Sequence, residues 1–322
     1  MSVFGKILRP LFGVSQKEAT DFGEGDSQAA FRLETVVGSV TKGCHVTLQS
    51  SNFVKLVERL HEFDPELRGY AYEGAGIGLA ALDCLLPWKN RTRDFIDGPG
   101  SAYIYAVHIG AGLGLARLHR RPEKFLSRLD PIVGWIALDG YGFHAGFFER
   151  KRYVEKQVVP RHLSPYGRSV FDHGIGRSIW FVVGANIDQI AATINAFPQA
   201  RHADIWSGVG LGCGYTGGVD RAALEHLHAV VGQHKASLAV GVAVAAHARR
   251  LAGSPAHYAE LACEILCGVS CDEAARMAEA AYVNLPTNDV KPAYQIWRER
   301  LEEQFTLPEV SEIQNETHFV QR

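Results

Sequence analysis

The sequence predicts an all-α protein, an internally duplicated array of helical hairpins folded as two pseudo-equivalent halves. Three observations predict this. Residues 52–83 lie over 186–217 at a constant offset of 134, so that Asn52, Leu56, Leu60 and Phe63 fall on Asn186, Ile190, Ile194 and Phe197. Past a slip the register continues at 133, Val107 meeting Val240 and Pro122 meeting Pro255, which gives copies at 52–148 and 186–281. Apolar residues recur at helical spacing, and proline with short polar turns interrupts the chain roughly every 15–25 residues, the rhythm of helical hairpins.

Taken in order, the elements follow from local chemistry. Val3, Phe4, Ile7, Leu8 and Leu11 form one apolar face opposite Ser2, Lys6 and Arg9. That pattern suits an interfacial anchor or docking helix in residues 1–12, or a terminal helix packed on its own domain and shortened by Pro10. Phe53, Leu56, Val57 and Leu60 repeat as Ile187, Ile190, Ala191 and Ile194, with Asn52 and Asn186 as N-caps and Pro65 and Pro198 as stops. Ser101–Ala116 and Ala236–Ala246 are apolar and glycine- or alanine-rich, yet shorter than the roughly 20 residues that cross a bilayer, so they read as buried core helices. Tyr258–Cys271 and Asp272–Tyr282 form a further helical pair, and the strand candidates are Ile179–Val183 and Thr35–Leu48. The expected organisation is an N-terminal helix and linker at 1–30, a first half at 31–150, a polar connector at 151–185, a second half at 186–300 and a polar tail at 301–322.

Composition narrows the function. With 33 Lys and Arg against 35 Asp and Glu, a net charge of −2 excludes the basic footprint of a nucleic-acid binder. Six cysteines in 322 residues are too few for a disulfide scaffold. With no secretory leader pattern at the start, the expected location is cytoplasmic, peripheral at the inner membrane face if residues 1–12 anchor it.

Two tempting motifs read better as scaffold. Gly74-Ala-Gly76-Ile-Gly78, Gly110-Ala-Gly112-Leu-Gly114 and Gly208-Val-Gly210-Leu-Gly212 lack the spacing and the strand–helix context of a dinucleotide fingerprint. Glycines four apart share one helix face and permit close packing. Cys263, Cys267 and Cys271, at i, i+4 and i+8, would align on one helix but lack a CxxC knuckle or paired histidines. The 14 histidines include no HExxH; His108 and His247, inside apolar helices, read as hydrogen-bonded core residues. No metal and no cofactor is predicted.

Polar residues found in one copy but not the other need a separate reason. Glu73 faces Ser207 and His144 faces Met277. Glu73, His144, Asp172 and Arg177 are the candidate acid–base or electrostatic groups. Tyr72, Asp139, Tyr141, Phe143, His173, Asp204 and Trp206 are candidate ligand-lining residues in a cleft between halves. The alternative is a buried polar network pinning the halves, with Arg177 paired to Asp172 or Glu73.

The blocks Gly140-Tyr-Gly-Phe-His-Ala-Gly-Phe-Phe148, Asp172-His-Gly-Ile-Gly-Arg-Ser-Ile-Trp-Phe181 and Asp204-Ile-Trp-Ser-Gly-Val-Gly-Leu-Gly-Cys-Gly-Tyr-Thr-Gly-Gly218, with Tyr72-Glu-Gly-Ala75 before them, carry a resemblance. Over roughly 30–285 the chain resembles a bacterial family of uncharacterised proteins associated with enediyne biosynthesis gene clusters. The resemblance implies neighbours that include a polyene-forming polyketide synthase and a multi-pass membrane protein, and it brings no reaction and no cofactor. The expected function is that of an accessory protein in enediyne or polyene-type secondary metabolism. It would hold a hydrophobic small molecule, polyene or lipid-like, or dock the membrane protein. The alternative is an enzyme tailoring the polyene by acid–base or redox chemistry. No nucleic-acid partner is expected, and self-association into a homo-oligomer stays open.

Overall fold

A computed structural model describes residues 27–286 and 290–306. The chain is all-helical there, and among the described residues no strand forms. The amphipathic start at 1–12 and most of the tail lie outside the described residues. The strand candidates are helical. Thr35–Leu48 belongs to α1 (Ser27–Gln49), and Ile179–Val182 ends α7 (Pro165–Val182). Thr35–Leu48 carries a buried stripe at helical spacing (Val36, Cys44, Leu48), residues 179–183 are buried all round, and tertiary burial overrides the β preference of their branched and aromatic residues.

Seven helices form the interior: α1, α3 (Arg68–Leu85), α5 (Ile104–Arg117), α6 (Ala137–Phe148), α7, α9 (His202–Thr216) and α11 (Lys235–Leu251). Shorter pieces return the chain on the outside. They are α2 (Phe53–His61), α4 (Arg91–Ile96), α8 (Ile187–Asn195), α10 (Arg221–Val230), α12 (His257–Leu266) and α13 (Cys271–Ala280), with short 3₁₀ turns at Pro122–Arg128 and Val133–Ile136. A last helix, α14 (Ala293–Thr306), buries Trp297, whose indole N–H donates to the Ala278 carbonyl at 2.7 Å. Asn52 and Asn186 cap α2 and α8 as their sequence position implies, accepting from the backbone of Lys55 and Gln189.

Paired glycines fuse consecutive interior helices. In a helix, residues two apart point about 200° from each other, so a GxG pair serves two neighbours at once. A Cβ on Gly74 would stand 2.0 Å from the Val40 carbonyl of α1, and one on Gly76 would stand 2.1 Å from the Val107 carbonyl of α5. Gly110 then meets Glu73 and Gly112 meets Ala137; Gly140 meets Ile109 and Gly142 meets Phe171; Gly174 meets Asp139 and Gly176 meets Ile205; Gly208 meets His173 and Gly210 meets Leu238. Contacts advance in the same direction along both partners (Gly110 on Glu73, Gly114 on Ile77), so neighbouring interior helices run parallel. The series curls until its ends meet: the Tyr70 hydroxyl of α3 donates to the Tyr215 carbonyl of α9 at 2.8 Å, and Tyr105 of α5 bonds His247 of α11 at 3.1 Å.

The repeat is therefore finer than two halves. Gly74, Gly110, Gly140, Gly174, Gly208 and Gly241 open their pairs or stand alone at intervals of 36, 30, 34, 34 and 33 residues. The offset of 134 spans four such units, and the later register of 133 is not structural, because Gly110 corresponds to Gly241, 131 residues on. Two pseudo-equivalent halves are not shown. Nor is 151–185 a simple connector, since α7 within it is a buried member of the series. The three cysteines do not share a helix. α12 stops at Leu266, Gly268 takes φ +72° in the left-handed region, and Cys271 opens α13. Among the described residues no cluster of His, Cys, Asp and Glu is arranged to hold a metal. No single described helix is long and apolar enough to cross a membrane.

Candidate functional site

The parallel series places the same positions of each helix on the inner surface. The residue three after the opening glycine is Ile77, Leu113, Phe143, Arg177, Leu211 and Val244 in turn. Every one of them lines an interior cavity, and Arg177 is the single charge in that column. The residue just before the glycine is Glu73, Ile109, Asp139, His173, Ser207 and Val240. Only Ile109 and Val240 are apolar there, and Glu73, Asp139 and His173 gather around Arg177.

They form one buried network. Arg177 donates from Nε to Asp139 Oδ1 at 2.9 Å, its Nη2 pairs with the same carboxylate at 2.8 Å, and Nη1 reaches Glu73 at the longer distance of 3.4 Å. His173 Nδ1 lies 2.8 Å from Asp139 Oδ2, and the guanidinium rests 4.3 Å from the centre of the Phe143 ring. Burial opposes ionising Asp139, but Arg177 and His173 outweigh it and hold its carboxyl below the ordinary range. Glu73 goes the other way: burial raises it, Arg177 pulls it down, and the Asp139 charge pushes it up again, for a net rise. Burial lowers His173 despite Asp139 and keeps it neutral. One guanidinium thus faces one carboxyl held below the usual carboxylate range and a second that burial holds above it.

Glu73 and Arg177 form the deep wall of a partly open pocket. Its sides are apolar: Val36, Val37, Val40 and Cys44 of α1, Ile77 of α3, Leu113 of α5 and Phe181 of α7. Phe143, Phe147 and Phe148 of α6 complete them, Phe143 and Phe147 stacked at 5.5 Å. Thr41, Arg117 and Phe148 are half-buried near the mouth. His144 also lines the pocket. It is 7% exposed, its Nε2 has no hydrogen-bond partner among the described residues, and burial with the charges of Arg117 and His119 lowers it to about 4. Behind the Glu73–Arg177 wall lies a smaller cavity between Tyr70, Tyr105, Leu211 and Val244.

Of the residues singled out from sequence, the structure gathers Glu73, Asp139, Phe143, His144, His173 and Arg177 and separates the others. Asp172 lies one residue before His173 on a different face of α7 and is paired with Arg201 at 2.5 Å; it is not Arg177's partner. Tyr72 is fully buried in a separate apolar cluster with Leu56, Leu60 and Phe95, stacked on Tyr103 at 3.8 Å. Tyr141 packs near His162 and Phe171, Trp206 is core, and Asp204 meets Arg298 at 3.4 Å in a separate polar cleft. Sequence reasoning missed Arg117, Phe147, Phe148, Phe181 and the α1 valines. Lining up the chain at 30–36 residues rather than 134 would have found three of them, since Arg117, Phe147 and Phe181 all stand seven after their opening glycine.

A family model for a protein of unknown function, DUF1702, matches residues 3–305, nearly the whole chain. The chain belongs to that family. No curated protein and no solved structure matches this DUF1702 chain.

Proposed function

We propose that the protein holds a long, thin, apolar molecule in the pocket bounded by α1, α3, α5, α6 and α7, as an accessory component of polyene or enediyne-type biosynthesis. The single observation that carries the reading is the pocket's construction, with aliphatic and phenylalanine sides closed at depth by the Glu73–Arg177 pair. Such an enclosure suits burial of an apolar rod with little polar surface to desolvate. The resemblance of the sequence to the enediyne-associated family supports a conjugated polyene as that rod.

The test uses cis-parinaric acid, a conjugated tetraene whose fluorescence rises in apolar surroundings. The full-length protein is expected to bind it, and Thr41→Trp, which puts an indole at the mouth, is expected to weaken binding by tenfold or more while the circular dichroism stays unchanged. Equal binding by wild type and Thr41→Trp would place the probe elsewhere and sink the reading.

A second reading, a tailoring enzyme, is favoured by one observation: Glu73, which burial pushes above the usual carboxylate range, and His144, whose Nε2 has no hydrogen-bond partner among the described residues, line the same pocket. Under that reading Glu73→Gln and His144→Gln keep probe binding but abolish conversion of the polyene. Intact conversion in both folded variants would leave a carrier without acid–base chemistry.

A further inference from the structure

Tyr70, Glu73 and Arg177 are the three side chains that line both the pocket and the smaller cavity behind it, so they form the partition between the two spaces. They are not held equally. Arg177 is fixed by Asp139 through Nε at 2.9 Å and Nη2 at 2.8 Å, with its guanidinium 4.3 Å from the Phe143 ring centre. The Tyr70 hydroxyl donates to the Tyr215 carbonyl at 2.8 Å and lies 3.2 Å from the Thr216 hydroxyl. Among the described residues the Glu73 carboxyl has the 3.4 Å contact with Arg177 Nη1 and no other hydrogen bond. Its removal also strands no charge, because Arg177 keeps Asp139 as a counter-ion. Beyond the partition the rear cavity offers the same kind of surface as the front. Ile109, Ile136, Leu211 and Val244 line it, and the hydroxyls of Tyr70 and Tyr105 are spent on Tyr215, Thr216, His247 and Tyr282. An apolar chain placed there breaks no polar contact.

Resting on the apolar-ligand reading above, we propose that Glu73 is the specificity-determining residue of this pocket: the bulk of its side chain bars the way to the rear cavity and so sets how long a chain the protein accepts. The accepted class is then chains that end at the wall. A longer one leaves its last carbons in water at the mouth. Each methylene buried strengthens binding about fourfold. Affinity therefore climbs with length until the chain meets Glu73, and there it stops climbing.

The experiment measures displacement of cis-parinaric acid from the full-length protein by straight-chain 1-alkanols from octanol to hexadecanol, uncharged competitors that differ only in length. For wild type, affinity is expected to rise with each carbon and then level off. Glu73→Ala, which deletes the carboxymethyl group and suits a helix, is expected to move the levelling-off point about two carbons further. Glu73→Gln, of equal length, keeps the wild-type point. Glu73→Asp, the variant to use if the alanine one does not fold, moves it by about one carbon. Adding Val244→Phe to Glu73→Ala fills the rear cavity and restores the wild-type point. An unbroken rise through hexadecanol in wild type overturns the proposal. So does one levelling-off point common to wild type, Glu73→Ala and Glu73→Asp, or a Glu73→Gln variant that shifts as far as the alanine one. A double variant that keeps the longer limit overturns it as well. In each of those outcomes the probe still binds and the pocket reading stands. Failure of cis-parinaric acid to bind removes the pocket reading itself, and this inference with it.

Discussion

His108 shows how one buried side chain links this fold to pH. It sits fully buried on α5, with Nδ1 2.6 Å from the Ile104 carbonyl and Nε2 3.1 Å from the Asp130 N–H. The first contact needs a proton on Nδ1 and the second a lone pair on Nε2, so only the neutral imidazole satisfies both. Burial accordingly lowers His108 to about 4, as it does His144. An unfolded histidine titrates near 6.5. Between those limits the unfolded chain binds protons that the folded chain refuses, so both residues make stability fall as pH drops from about 6.5 towards 4. Each contributes at most about 3 kcal/mol of that loss. Glu73, raised on folding, acts with the opposite sign, which makes a variant comparison cleaner than the bare pH profile. Urea unfolding at pH 7.0 and 4.5 should show a smaller acid loss in His108→Gln than in wild type. Identical losses would mean that His108 is not held neutral.

At the level of elements, the interior helices depend on backbone contact that tolerates no side chain. A Cβ at Gly110 would lie 1.8 Å from the Glu73 carbonyl, and backbone on both sides cannot yield without separating α3 from α5. Gly110→Ala is expected to cost more than about 3 kcal/mol or to prevent folding. Gly38 is the matched control: it lies inside α1 with nothing within 4 Å of its Cβ position. There Gly38→Ala should raise stability by about 0.5–1 kcal/mol, because alanine loses less backbone entropy in a helix. Denaturant midpoints of the two variants settle this, and similar effects at both sites would contradict the packing described. The same close approach brings α6 and α7 near enough for Asp139 of one to hold Arg177 of the other, so the glycine pairs place the polar network as well as the helices.

For the molecule as a whole, binding and stability are linked through the pocket. Its walls come from five helices spread from residue 36 to residue 181, and a ligand there bridges elements that must all be in place. A ligand that binds only the folded chain adds about 2.7 kcal/mol at a hundred times its dissociation constant. Cis-parinaric acid at that level should raise the melting temperature of the wild type and leave Thr41→Trp where it was. A fluorescence increase without any rise in melting temperature would mean loose partition onto the surface.

The sequence by itself determined that the chain is helical, that it repeats and that its glycines serve packing, because apolar periodicity, capping residues and missing Cβ atoms act locally. Asn52 and Asn186 as caps, and His108 and His247 as hydrogen-bonded core residues, were legible for the same reason; Arg177 was expected to pair with Asp172 or Glu73, and of the two it meets Glu73. The period was not legible. Four units of unequal length, 36, 30, 34 and 34 residues, add to 134, and the longer match conceals the shorter one. Only the tertiary structure decided which side chains share the interior, because that depends on parallel neighbours and on the angle at which each helix meets the next. It set Arg177 against Asp139 rather than Asp172: residues five positions apart on α7 face different neighbours, and α6 is the one that approaches the Arg177 side.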